Sequence, residues 1–184
     1  MASMMAPVLA WRHPRPDGVA GRCIGRSDVR VDPRKVRRLA RRIERHARRH
    51  GMPRVVCTST LWRCQAVGRC LRRRGWAHHV DPALCEMDFG RWDGRAWCDI
   101  PWDEVQAWGD DFVDHAPGGG ESLRQMLQRV AAWVPPVPGC AVVAHGGWML
   151  CRRWHHQHGP DHLPRSAADW PQAPAYGQGW SLPQ

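Results

Sequence analysis

Long hydrophobic runs are missing from this sequence of 184 residues. Without a stretch of about 18 consecutive apolar residues, a transmembrane helix is not expected. The opening segment MASMMAPVLA lacks the basic residues that begin a secretory leader, and its apolar part is too short for one. We therefore expect a cytoplasmic protein, and the length suits one domain with a sizeable core.

Paired cysteine motifs are also missing. The chain has 8 cysteines, but none of them forms a C-x-x-C pair, which argues against a zinc ribbon. Several lie within predicted strands or helices, where cysteine acts as a small apolar residue. A reducing compartment suits these residues better than a disulfide framework does.

Lysine is nearly absent, since Lys35 is the only one among the 27 basic residues. The formal net charge is +10. A charge of this size permits two interpretations: a nucleic-acid-binding surface, or a basic surface with a pocket for a small anion. The Arg-rich helix predicted at 34–49 has no aromatic residues for base stacking, so we interpret it as a solvated face and expect no nucleic-acid partner.

The first clear helix begins at Asp32-Pro33, where Asp suits the N-cap and Pro the first helical position. Gly51 and Pro53 predict its end. Its apolar stripe recurs at helical spacing and comprises Val36, Leu39, Ala40, Ile43 and Ala47.

The rest of the chain alternates short apolar runs with helical patterns. This order predicts a three-layer α/β/α sandwich with a mostly parallel central sheet. Residues 1–158 are expected to form this domain, and residues 159–184, rich in Pro, Gly and Gln, an irregular tail. The predicted strands are VLAW (8–11), RVVC (54–57), AHHVD (77–81) and CAVVA (140–144); the later helices are 61–74, 103–108, one capped by Ser122 and Gln125, and one from Gly146.

Polar residues follow each predicted strand. Because ligands bind outside the carboxyl ends of strands in open α/β sheets, these residues should share one rim. They are Arg12 and His13; Thr58, Ser59 and Arg63; Glu86 and Asp88; and His145, before a helix that begins Gly146-Gly147. Arginines bind phosphate oxygens, a neutral imidazole attacks phosphorus, and a carboxylic acid protonates a departing alkoxide. The rim therefore predicts chemistry on a phosphorylated substrate.

The motifs LAWRHP, TSTLWRC, LCEMDFGRWDG and VVAHGG resemble, in order and spacing, those of the histidine phosphatase superfamily, the phosphoglycerate-mutase-like proteins. GRCIGRSD also resembles the loop that follows the family's Arg-His motif. The resemblance covers about residues 8–158 and is strongest to small bacterial phosphatases of the α-ribazole phosphatase type.

The resemblance implies roles for individual residues. His13 would be the nucleophile, and Arg12, Arg63 and His145 would hold the phosphoryl oxygens. Glu86 would protonate the leaving group and then activate water; we prefer it to Asp88 because it occupies the matching position in LCEMDFG. Arg22 is a further phosphate-binding candidate. No cofactor and no metal are expected, since arginines and a histidine supply the positive charge.

Pro14 departs from the family pattern, which usually has Gly after the nucleophile. Proline keeps its carbonyl, which could orient the imidazole, but it has no N–H to donate to phosphate. It also biases His13 toward extended geometry, which suits a strand end. The substitution therefore affects the expected rate more than the predicted identity of the site.

Other clusters carry weaker signals. Spacing within His155, His156, His158 and His162 matches no ordinary metal site. The Gly118–Gly120 run lacks the ending of a phosphate-binding P-loop and is expected to form a flexible loop near the pocket. Four tryptophans (Trp92, Trp97, Trp102 and Trp108) are expected to roof the pocket mainly by packing, and one or two could stack on a flat substrate.

The sequence thus predicts a metal-independent phosphatase that hydrolyses a small-molecule phosphomonoester through phosphohistidine. Resemblance suggests α-ribazole 5′-phosphate and, with it, cobalamin biosynthesis. The alternatives are a phosphate-binding or regulatory protein weakened by Pro14, and a phosphoglycerate mutase-type phosphotransferase. Mutases of this family carry a long insertion between the acid motif and the second histidine, whereas His145 follows Glu86 by only 59 positions here. No membrane partner is expected, and the oligomeric state is not readable.

Overall fold

A computed structural model describes residues 7–159 and 162–182 of the chain. The leader prediction rests largely on residues 1–6, which lie outside the described residues. Residues 160–161 and 183–184 of the predicted tail also lie outside them. Within the described ranges, no helix is long and apolar enough to cross a bilayer.

One sheet forms the centre of the molecule. The described residues contain β1 (Val8–Arg12), β2 (Val55–Thr58), β3 (Ala77–Val80), β4 (Ala141–Ala144) and β5 (Gly179–Leu182). Their order in the sheet is β3-β2-β4-β1-β5, and they pair in parallel except β5, which runs antiparallel to β1. The prediction of a mostly parallel α/β sheet is confirmed.

Helices cover both faces of this sheet. The described residues contain α1 (Pro33–His50), α2 (Trp62–Arg72), α3 (Trp102–Asp110), α4 (Leu123–Ala132) and α5 (Gly146–His158). The predicted signals at the ends of α1 are present, because Asp32 accepts a hydrogen bond from the N–H of Arg34 and Gly51 adopts the left-handed conformation that ends the helix. Ser122 and Gln125 form the predicted capping box of α4.

Strand β4 shows how the two faces are built. Its side chains alternate, so Ala141 and Val143 join the core under α1 and α2, while Val142 and Ala144 join the core under α4 and α5. All four residues are fully buried. A strand buried on both faces must be apolar throughout, as the sequence of β4 is.

A loop-rich segment between β3 and α4 packs around its own small core. Trp92 is fully buried there with Cys23 and Ile100, and Trp108 packs edge-on to Trp92 at 5.9 Å between ring centroids. Trp97 and Trp102 are exposed. Gly118 and Gly120 lie against the backbone of 88–92, where a side chain would overlap it.

The prediction of an irregular tail is corrected at residues 179–182, which form β5. This strand pairs with Val8–Trp11 of β1, and Leu182 is buried in the core. Four residues containing one Gly and one Ser carry little strand signal, so the pairing depends on the free edge of β1.

The histidines at the end of α5 stack on one another rather than converge. The rings of His158 and His162 are 5.2 Å apart, and His158 lies 4.2 Å from Trp154. Among the described residues, no group of three or more His, Cys, Asp or Glu side chains is arranged to hold a metal ion.

Candidate active site

The carboxyl ends of β1 and β4 bring His13 and His145 together. The two strands pair in parallel, and the N–H of His13 donates to the carbonyl of Ala144 at 3.0 Å. The two imidazole rings lie 5.1 Å apart between centroids. Both residues are buried, with His13 4 % exposed and His145 fully enclosed.

One hydrogen bond sets the protonation of the His13 ring. Its Nδ1–H donates to the carbonyl of Pro14 at 2.8 Å, so Nε2 carries the lone pair of the neutral ring. This is the orienting carbonyl that was expected to survive at Pro14. The ring is therefore held with its nucleophilic nitrogen turned toward the other site residues.

Arg63, in the first turn of α2, lies between the two histidines. Its Nε–H is shared between His13 Nε2 and His145 Nδ1, each at 3.2 Å. The terminal nitrogens donate to the carbonyls of Ser27, at 2.7 Å, and Gly25. A buried guanidinium with these partners holds positive charge beside both imidazoles.

Ser59 fixes the second histidine. Because Nδ1 of His145 accepts from Arg63, its Nε2 carries the proton and donates to Ser59 Oγ at 2.7 Å. The nearby Cys64 thiol stays protonated, since burial raises its pKa to about 12. Ser59 follows β2 directly and lies at the predicted edge of the sheet, although no sequence pattern indicates its hydrogen bond to His145.

Burial and positive charge keep both imidazoles neutral. Burial, followed by the charge of Arg63, lowers the pKa of His13 well below its usual 6.5. The same two causes, in the same order, lower the pKa of His145 well below 6.5. A neutral His13 is the form that attacks phosphorus.

Arg12 supplies a second guanidinium beside the rings. It donates to the carbonyl of Pro174 at 2.8 Å, while its Nε–H is buried without a partner among the described residues. The start of α5 lies close to it, because a side chain at Gly146 would come within 3.3 Å of the Arg12 Cζ. A buried donor with no acceptor, next to a helix N-terminus, suits an anion.

Glu86 approaches the same helix terminus. Its Oε2 accepts from the N–H of Gly147 at 3.1 Å, and a side chain at Gly147 would overlap Oε1. Asp88, the alternative carboxylate, instead accepts from the N–H of Gly90 at 2.9 Å within its own turn. The structure therefore brings Glu86, rather than Asp88, to Gly147, which follows the glycine that adjoins Arg12.

Asp93 organises the loop that holds Arg63, and it was not a predicted site residue. Its carboxylate accepts three successive N–H groups, from Gly25 at 3.1 Å, from Arg26, and from Ser27 at 3.0 Å. Backbone carbonyls of the same loop accept hydrogen bonds from the terminal nitrogens of Arg63. The Asp-Gly pair in DFGRWDG is a common turn signal, so the sequence alone does not indicate that Asp93 positions this loop.

Arg129 of α4 fixes the loop that carries Glu86, and it too was not predicted. Its guanidinium donates to the carbonyls of Ala83 and Cys85 at 2.9 and 3.1 Å. It also forms a paired contact with Glu121, at 2.9 and 2.8 Å. The amphipathic pattern of α4 would place such an arginine among solvated residues, so only the fold reveals this contact.

Arg22 does not join the group. Its side chain is exposed and donates to the carbonyl of Gly94 at 2.8 Å. None of the hydrogen bonds of the described residues joins it to His13, Arg63 or His145. We therefore leave Arg22 out of the candidate site: its backbone forms a bridge with Ala96, which turns it toward the loop.

A family model described as the histidine phosphatase superfamily (branch 1) matches residues 8–168. The chain belongs to the histidine phosphatase superfamily. The prediction of family and enzyme class, a histidine phosphatase, is thereby confirmed. The match extends beyond residue 158, where the domain was expected to end.

Solved structures share the fold of this histidine phosphatase. The α-ribazole phosphatase of Shigella flexneri is 24 % identical with a TM-score of 0.69, over 94 % of this chain and 87 % of that chain. A mycobacterial glucosyl-3-phosphoglycerate phosphatase with VO3 is 22 % identical with a TM-score of 0.72, over 95 % and 89 %. A structure named mycobacterial hydrolase 2 is 26 % identical with a TM-score of 0.64, over 81 % and 71 %. No curated protein matches the chain significantly.

Proposed function

We propose that this histidine phosphatase hydrolyses a small-molecule phosphomonoester through a phosphohistidine on His13, without a metal. The observation that carries the proposal is the His13 ring, buried and neutral, with its Nδ1–H held by Pro14 and its Nε2 beside two guanidinium groups. Arginines that surround a neutral nucleophile attract a phosphate dianion, and the shared Arg63 N–H that meets Nε2 at 3.2 Å gives way when the lone pair attacks phosphorus.

The first step transfers the phosphoryl group. The lone pair of His13 Nε2 forms the P–N bond while the ester P–O bond breaks. Glu86, as the acid, gives its proton to the departing alkoxide. Arg12 and Arg63 bind the phosphoryl oxygens, and the unpartnered Nε–H of Arg12 gains an acceptor. His145 joins them when the Ser59 hydroxyl donates to its Nε2, because the ring proton then sits on Nδ1 and faces the phosphoryl group instead of Arg63.

The second step returns the enzyme to its starting state. Glu86, now a carboxylate, takes a proton from water, whose oxygen attacks phosphorus. The P–N bond breaks and its electron pair returns to Nε2 of His13, releasing inorganic phosphate. The contact of Glu86 with Gly147, next to the glycine that adjoins Arg12, supports both roles.

The test is hydrolysis of p-nitrophenyl phosphate in the presence of a chelator. We expect turnover by the wild type and a loss on the order of a thousandfold or more in His13→Ala. His156→Ala, which removes an exposed histidine of α5, is the matched control and should keep full activity. A phosphoenzyme that is labile in acid and stable in base should form on the wild type and be absent from His13→Ala. Activity that survives His13→Ala, or that requires a metal, would overturn the proposal.

Substrate choice is a separate proposal. We infer α-ribazole 5′-phosphate from the motif resemblance, and a place in cobalamin biosynthesis follows from that substrate. A panel of α-ribazole phosphate, glucosyl-3-phosphoglycerate, sugar phosphates and phosphoglycerates tests it through kcat/KM. If α-ribazole phosphate is not preferred in this panel, the substrate proposal fails while the chemistry stands.

The partner and the compartment remain predictions. A phosphorylated small molecule is the expected partner, and nucleic acid and membranes are not. Absence of salt-dependent DNA binding at moderate salt would agree with this. The free thiols of the described cysteines suit the predicted cytoplasmic location. If no phosphate ester is hydrolysed but inorganic phosphate binds, the regulatory alternative replaces the phosphatase.

A further inference from the structure

The segment 174–178, which precedes β5, lies across the carboxyl end of β1. The N–H of Gly177 donates to the carbonyls of Arg12 and His13 at 3.0 and 3.2 Å. The N–H of Arg12 donates to the carbonyl of Gln178 at 2.9 Å, and its guanidinium donates to Pro174. This segment therefore holds both the backbone and the side chain of the Arg-His pair.

Tyr176, at the turn of this segment, covers both functional side chains. The guanidinium carbon of Arg12 lies 3.9 Å from the centre of the tyrosine ring, a cation–π geometry. The same ring lies 5.4 Å from the ring of His13. Tyr176 is 38 % exposed, so it lies between the buried pair and solvent.

We propose that Tyr176 is a positioning residue of the phosphatase site, which holds the Arg12 guanidinium by a cation–π contact and shields His13 from water; this rests on the proposed function. Arg12 has few other restraints: one described hydrogen bond from its guanidinium and a buried Nε–H that stays free. An aromatic face restrains a guanidinium without using its N–H donors, which therefore remain available for phosphoryl oxygens.

Two substitutions at position 176 distinguish the cation–π contact from simple packing. Tyr176→Phe keeps the aromatic face, whereas Tyr176→Leu keeps an apolar cover and loses the π system. We expect Tyr176→Phe to stay within about twofold of wild-type kcat/KM and Tyr176→Leu to lose about tenfold on p-nitrophenyl phosphate. Equal kcat/KM in the Leu and Phe variants would overturn the cation–π function.

A pH profile tests the shielding. The charged or titratable groups that face His13 are Arg12 from β1, Arg63 from α2, His145 after β4 and Tyr176 itself. Tyr176→Ala opens the ring of His13 to water and relieves part of its burial, so the acidic limb of kcat/KM should move to higher pH. An unmoved limb in Tyr176→Ala would contradict the shielding.

Trp180→Leu is the matched control. Trp180 lies in β5, and the guanidinium carbon of Arg153 lies 5.0 Å from its ring, the same kind of contact in the same part of the chain but outside the site. We expect kcat/KM and the pH profile to stay as in the wild type. A loss in Trp180→Leu as large as that in Tyr176→Leu would show that the effect is general loosening of the C-terminal segment.

Binding of orthovanadate separates this proposal from the proposed function. We expect weaker orthovanadate binding in Tyr176→Leu than in Tyr176→Phe, whether or not the wild type turns over. If the wild type hydrolyses nothing but orthovanadate binds it and Tyr176→Phe more tightly than Tyr176→Leu, the positioning of Arg12 stands and the phosphatase falls. If hydrolysis proceeds and position 176 has no effect, the phosphatase stands and the positioning falls; if the wild type neither binds nor hydrolyses, both fall.

Discussion

At the residue scale, a single N–H group of Arg63 connects the two imidazoles. That one donor is shared by His13 Nε2 and His145 Nδ1, so neither bond is at full strength. A phosphoryl group that arrives at His13 replaces this weak bond rather than a strong one. The cost of opening the site to substrate is therefore low, while the positive charge of Arg63 stays beside the reacting atoms.

The pH dependence of the reaction follows from the lowered pKa of His13. Only the neutral imidazole attacks, so activity falls when pH drops through the pKa of His13, which burial and Arg63 hold well below 6.5. We expect kcat/KM for p-nitrophenyl phosphate to stay flat as pH falls from 7 through 6.5 and to decline only at lower pH. The measurement is a pH series within the range where circular dichroism shows a folded protein.

Arg63→Gln tests how much the guanidinium charge lowers the pKa of His13. Without the guanidinium charge, the pKa of His13 rises, and the acidic limb of the residual activity should move to higher pH. Arg69→Gln, which removes an exposed arginine of the same helix, should leave the limb in place. An acidic limb at 6.5 or above in the wild type would contradict the lowering of the His13 pKa by burial and Arg63.

At the element scale, α5 begins with two glycines because two functional side chains approach its first turn. Gly146 lies against Arg12, and Gly147 receives Glu86. Both glycines have helical φ angles, so the close approach, rather than a special backbone conformation, requires them. The helix terminus thus aligns an acid and a cation on neighbouring residues.

In Gly147→Ala, activity should fall while stability is kept. Alanine favours a helix over glycine by about 1 kcal/mol, so the helix itself should not be weakened. Its methyl group would overlap Glu86 Oε1, and the displaced carboxyl should lower kcat by tenfold or more, on the order of the general-acid contribution. Activity assays and thermal melts check the two effects.

Gly109→Ala is the control for that substitution. Gly109 lies in α3, where an added side chain meets no atom within 4 Å, so stability should hold or rise and activity should not change. Full activity in Gly147→Ala would mean that Glu86 does not act from the observed position.

The same scale shows what could be predicted from the sequence. Helix α1 was predicted to its ends because a cap, a proline and an apolar stripe all act locally. The rim residues were predicted because parallel strands end at one edge. Strand β5 and Tyr176 could not be predicted, since their contacts with β1 join residues about 170 positions apart and a four-residue edge strand has weak local preference. The positioning contacts of Asp93 and Arg129 were missed for the same reason.

At the scale of the whole molecule, charge is divided between two parts of the chain. Residues 33–74 contain 15 of the 27 Lys and Arg residues but only one of the 17 Asp and Glu residues, a net charge of +14. Residues 81–121 contain 11 of the 17 acidic residues. The layer of α1 and α2 therefore carries more than the whole net charge of +10. Glu44 is the one acidic residue of this layer, and it forms ion pairs with Arg74 at 2.8 Å and with Arg54 at 3.9 Å.

This concentration of charge predicts that salt stabilises the protein. Like charges on the exposed faces of α1 and α2 repel one another, and screening shortens the range of that repulsion from about 30 Å at 0.01 M salt to about 10 Å at 0.1 M. We expect the Tm to rise when sodium chloride is increased over this range. Replacing two exposed arginines of α1, in Arg41→Gln/Arg45→Gln, should raise the Tm at low salt and flatten its dependence on salt.

Arg91→Gln is the control, and it should lower the Tm at low salt. Arg91 lies in the acidic segment and forms an ion pair with Glu104 at 2.8 Å, so its removal takes away an attraction. A wild-type Tm that stays constant or falls as salt is added would show that repulsion among the arginines of this layer does not limit the stability of the fold.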